Sequence, residues 1–110
     1  MALRRKLHNI HVNKKQPIEH TGWWPYVARY IEEGRVQGFS AETMRRHDGA
    51  LRRFVVWCEE RGLADPKAVT PPMIERYQSQ LFYHPKADGQ PLTNMTQRAL
   101  LATVKSFFKW

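Results

Sequence analysis

Two Arg-Arg pairs, Arg45-Arg46 and Arg52-Arg53, stand seven residues apart, which is two turns of an α-helix. Met44, Leu51, Phe54, Val55 and Cys58 are interleaved with them and fall on the opposite side at the same 3.6-residue period, so a helix starting after Ser40 has an apolar face and a guanidinium face. Guanidinium groups are planar, permanently charged forks that pair with phosphate oxygens or the edge of a guanine. A basic face of this kind suits the groove of a nucleic-acid duplex. Asp48, Glu59 and Glu60 lie at the rim of the strip or beyond its end, leaving Arg45, Gly49, Arg52 and Arg53 as its centre.

No other constellation points to a reaction. His8 and His11 are three residues apart, but no cysteine or paired carboxylate is near enough in sequence to complete a metal set. Cys58 has His47 three turns away on its helix, too far to activate it, and reads as a core thiol. The adjacent pairs Glu32-Glu33 and Glu59-Glu60 diverge around their helices and cannot flank a substrate. A glycine-rich phosphate loop, a Gly-x-Ser-x-Gly turn and a His-Glu-x-x-His helix are all missing. Neither a cofactor nor a metal is expected. Trp57, Phe107, Phe108 and Trp110 have the helical spacing of core or near-core residues, whereas adjacent Trp23 and Trp24 cannot both point inward.

The chain has 110 residues, 42% of them apolar, enough for one core. Eighteen Lys and Arg against ten Asp and Glu give a net charge of +8, which favours a polyanionic partner. Half of that excess comes from the first twenty residues, where Arg4, Arg5, Lys6, Lys14 and Lys15 face Glu19 alone. Residues 1–21 show no period and read as a basic, flexible tail, and residues 22–110 as the folded domain. The single cysteine excludes an intramolecular disulfide framework and suggests a reducing compartment. With no signal-peptide core and no apolar run long enough for a membrane span, a cytoplasmic protein is expected.

Four helices account for the folded part, and no strand pattern is long enough to compete. The first runs through WWPYVARYIEEG, with Pro25 in its first turn and Gly34 and Gly38 weakening its end. The second is capped by Ser40 and stopped by Gly62. Thr70-Pro71-Pro72 opens the third, which carries Met73, Ile74, Tyr77 and Leu81 and ends before Pro85. The segment 85–92, with Asp88-Gly89, is a loop or short hairpin. Thr93 caps the fourth, where Leu100, Leu101, Val104, Phe107, Phe108 and Trp110 line one side and Asn94, Arg98, Lys105 and Lys109 the other. The apolar pattern is still intact at Trp110, as in a piece of a longer protein.

In order and spacing, several of these residues resemble the N-terminal core-binding domain of the tyrosine recombinase (phage integrase) family. They are Phe39-Ser40-Ala41-Glu42-Thr43, then Leu51, Phe54, Trp57 and Glu60-Arg61-Gly62-Leu63, then Val69-Thr70 and Tyr77. Pro91-Leu92-Thr93, Gln97-Arg98, Leu100 and Phe107-Phe108-Lys109-Trp110 complete the series. The resemblance implies an all-α, SAM-like four-helix bundle that clamps one side of a recombination site. It also implies that the catalytic arginines, lysine, histidines and tyrosine belong to a separate downstream domain, so that this chain alone cleaves nothing. The implied partners are double-stranded DNA, that catalytic domain and other recombinase protomers. The family brings its second and fourth helices to the major groove, matching Arg45, Arg46, Arg52 and Arg53 on one helix and Asn94, Arg98 and Lys105 on the other. The 85–92 loop is longer than the tight turn of many members. The competing reading is a small helical module with a protein partner and a merely solvated basic face.

Overall fold

Ser40 begins the longest helix as its position implies: its Oγ accepts the Thr43 N–H at 3.0 Å, satisfying one of the free donors of the first turn. A computed structural model describes residues 16–83 and 92–110. Among them, four α-helices follow one another as α1 (Trp24–Val36), α2 (Ala41–Glu59), α3 (Pro71–Tyr83) and α4 (Asn94–Lys109), with a 3-10 turn at Pro66–Ala68 between α2 and α3. The all-α expectation holds for these residues. Most of the expected tail and all but Leu92 of the expected 85–92 loop lie outside them, as do His8 and His11.

Glycine closes both α1 and α2 in the same way. Gly38 and Gly62 have φ of 95° and 77°, the left-handed region that a Cβ penalises. Behind Gly62, the Leu63 N–H reaches back to the Cys58 carbonyl and the Gly62 N–H to that of Glu59. Phe39 and Gly38 repeat the pattern on the carbonyls of Gly34 and Arg35. Thr93 caps α4 by accepting the Thr96 N–H at 3.1 Å. Gly34 has a different role: a Cβ there would fall 2.1 Å from Met44 Sδ, so its bare backbone lets α1 and α2 approach.

The core is aromatic and centred on Trp23, whose ring is fully buried against Phe54, Phe107 and Phe108. Its indole N–H donates to the Leu63 carbonyl at 3.0 Å, so the residue just before α1 is tied to the turn after α2. Of the adjacent tryptophans, Trp23 is the inward one and Trp24 is half-buried. All five apolar residues assigned to the inner face of α2 are buried. α2 packs against α1 and α4, and α3 against α4. Where the three helices α1, α2 and α4 meet, Tyr30 Oη lies 3.1 Å from both His47 Nδ1 and Ser106 Oγ.

Two expectations are corrected. Residues 16–21, assigned to the tail, are packed onto the bundle: Ile18 is buried in the core, and Thr21 Oγ1 donates to its carbonyl at 2.8 Å. A lone isoleucine between Pro17 and Glu19 carries no period, so the pattern could not reveal it. Trp110, expected in or near the core, is 46% exposed and only borders it, packing edge-on against Tyr30 and donating its indole N–H to Glu33 at 2.8 Å.

Candidate nucleic-acid interface

On α2, Arg45, Arg46 and Arg53 are exposed, with Gly49 exposed between them. Helical spacing puts Gly49 four residues after Arg45, three after Arg46 and four before Arg53, so the three guanidinium groups surround a bare stretch of backbone. Arg45 pairs with Glu42 at 3.0 Å, but both side chains are more than half exposed, and such a contact is weak enough for a phosphate to displace. Near Arg53, the Tyr77 phenol is buried, and burial pushes it up to about 12 against the pull of that guanidinium.

Arg52, assigned to the same strip, is not part of it. Its side chain is only 6% exposed and each guanidinium nitrogen is engaged. Nε donates to Asp48 Oδ1 at 3.0 Å, Nη1 to the Gln16 carbonyl at 2.8 Å and Nη2 to Glu19 Oε2 at 2.6 Å. Its plane also lies over the Trp24 ring, 5.1 Å from the centroid. The hydrogen bond from Arg52 holds the Glu19 carboxyl down to about 2, and Glu19 in turn raises Arg52. Arg52 is therefore a clasp that fastens residues 16–19 to α2, and Asp48 is its buried anchor rather than a residue at the rim of a stripe.

One part of this clasp was open to sequence reasoning. Asp48 and Arg52 are four apart, the spacing of a helical ion pair. Glu19 and the Gln16 carbonyl lie more than thirty residues away in the chain and give no such signal. Arg61, just past the end of α2, is likewise engaged within the fold. Its guanidinium covers the Trp57 ring at 4.2 Å and donates to the Trp57 carbonyl at 3.0 Å.

On α4, Asn94, Arg98 and Lys105 are all exposed, and Lys109 extends the row by one further turn. Next to Arg46, His47 is held below its ordinary value first by burial and then by the Arg46 charge, so it adds no cation at neutral pH. Cys58 is buried and its thiol is pushed up to about 12 by loss of solvent, which makes it inert. Among the described residues, no group of three or more His, Cys, Asp or Glu could hold a metal ion. No helix among them is long and apolar enough to cross a membrane.

These features define a small all-α domain with cationic faces on its second and fourth helices. Residues 27–110 match the family model of the phage integrase N-terminal SAM-like domain, and the chain belongs to that family. It is also similar to tyrosine recombinase XerC 2 of Ralstonia nicotianae, with 46% identity over 94 residues, covering 86% of this chain. The chain spans 27% of that relative's length. No solved structure matches it.

Proposed function

We propose that residues 22–110, together with the strap 16–21, form the DNA-binding domain of a site-specific tyrosine recombinase, and that α2 and α4 grip the duplex with Arg45, Arg46, Arg53, Asn94, Arg98 and Lys105. The observation that carries this reading is the exposed arginine trio of α2, which the fold turns outward while burying every apolar residue of the opposite face. Phosphate contacts set the position of the domain on the duplex, and one arginine at a guanine edge supplies selectivity. Strand cleavage belongs to a separate catalytic domain, and further protomers complete the assembly on paired sites in the cytoplasm.

Five cations, Arg45, Arg46, Arg53, Arg98 and Lys105, neutralising one phosphate each give a slope of log affinity against log salt of about −4 to −5. Arg53→Glu combined with Arg98→Glu lowers affinity in a mobility-shift titration and flattens that slope. An unchanged slope in the double variant refutes the assignment of these two helices. A basic tail acting alone is separated by removing residues 1–15. The cut stops there because Gln16, Ile18 and Glu19 are structural. Binding that vanishes with the tail overturns the two-helix grip.

A further inference from the structure

Gly49 lies in the middle of α2, where glycine is, after proline, the least favourable residue. A helix-interior glycine ordinarily answers to a left-handed backbone or to a neighbour too close for a Cβ. Neither applies here. Gly49 is not among the positive-φ glycines, and a Cβ built on it meets nothing within 4 Å. Gly34 in α1 shows the contrast, since its Cβ would overlap the Met44 side chain. Among the described residues, then, the bare patch at Gly49 serves no intramolecular contact. Of the four arginines one turn away from it on the helix, Arg45, Arg46 and Arg53 are exposed and Arg52 is turned into the clasp. α4 repeats the arrangement with Ala102, exposed, four residues after Arg98 and three before Lys105.

We propose that Gly49 is the point of closest approach between α2 and duplex DNA, where the missing side chain admits the sugar-phosphate wall against the helix backbone. The inference rests on the reading of α2 as a DNA-facing helix and adds a positioning residue that carries no charge. The three surrounding guanidinium groups select a polyanion, and their placement around the gap lets each reach a phosphate once the backbone is seated in it. A side chain at this position holds the helix off and lengthens all three contacts together.

The test uses the complete chain, a fluorescein-labelled mixed-sequence duplex several turns long, and thermal melts of the same samples. Gly49→Ala and Gly49→Leu both raise Tm, by about 4 °C or more, because helix propensity improves and nothing is in the way. Affinity falls about threefold to tenfold for Gly49→Ala and more than about thirtyfold for Gly49→Leu. A raised Tm with affinity within about twofold of the parent overturns the inference. A lowered Tm in either variant overturns it as well, by giving the glycine a structural role. Arg46→Glu/Arg53→Glu, measured alongside, separates the two levels. If that variant binds like the parent, α2 does not touch DNA and the functional reading falls. If it loses binding while the Gly49 variants keep it, only the role of Gly49 is refuted.

Discussion

Arg52→Ala and Arg53→Ala alter adjacent arginines of one helix, and the structure assigns them opposite consequences. Truncating Arg52 strips a hydrogen bond from the carboxylate of Asp48, whose side chain is 10% exposed, and another from the Gln16 carbonyl. Both bonds have a charged donor: the buried one to Asp48 contributes about 1.5–3 kcal/mol and the one to Gln16, an exposed residue, about 1, so the two losses together destabilise the domain by roughly 3 kcal/mol. The Glu19 arm is solvent-exposed and is left out of that figure. For a domain of this size, the corresponding fall in Tm is about 12–20 °C. Arg53→Ala removes an exposed side chain and stays within about 0.5 kcal/mol of the parent. Urea titrations followed by tryptophan fluorescence read both values, since Trp23 is buried and Trp24 lies under the Arg52 guanidinium. In DNA binding the order reverses: Arg53→Ala weakens it, and Arg52→Ala, compared at equal folded fraction, leaves it close to the parent. If Arg52→Ala costs less than about 1 kcal/mol, or weakens DNA binding as much as Arg53→Ala, the clasp is not the role of this residue. A double-mutant cycle with Asp48→Ala then isolates the pair, with a coupling above about 1 kcal/mol expected.

The clasp also gives the domain an acid limb. Glu19 is lowered from 4.5 to about 2 in the fold, so its contribution is complete above the unfolded value and is lost as pH falls through the folded one. Melting curves between those two pH values therefore drop more steeply for the parent than for Glu19→Gln, the difference shrinks in high salt, and parallel curves would argue against the Arg52–Glu19 bond. Cys58, with its thiol pushed up to about 12, has about one part in ten thousand as thiolate at pH 8. Iodoacetamide leaves it unmodified in the native protein and labels it fully in urea, as mass spectrometry will show; rapid native labelling would place the residue outside the core.

Local chemistry was legible in this sequence, and distant polar contacts were not. Ser40, Thr93 and Gly62 announce helix ends because capping acts over three or four residues, and the structure puts each where its type implies. The inner face of α2 could be read from period alone, since a buried helix face repeats at fixed spacing. Arg52 misled for the same reason. Its position beside Arg53 describes one helix, whereas its surroundings are made by Gln16 and Glu19, which the fold brings in from another part of the chain. Ile18 and Trp110 follow the same rule in opposite directions, the first buried without a pattern and the second exposed despite one. Of the candidate interface, the exposed arginines and the α4 row were visible as charges at helical spacing, and the open space over Gly49 among the described residues was not.

The Tyr30 hydroxyl, within reach of His47 and Ser106, pins α1, α2 and α4 at a single point. Together with the packing of α2 on α4, this holds the backbones that carry the α2 arginines and the α4 cations at a set distance. A surface held at constant gauge loses little conformational freedom on docking, so its affinity reflects the contacts themselves rather than the ordering of loops. If α2 and α4 grip DNA as proposed, such a surface tolerates little variation in groove width, and a duplex with an altered groove meets it with some of those charges out of register.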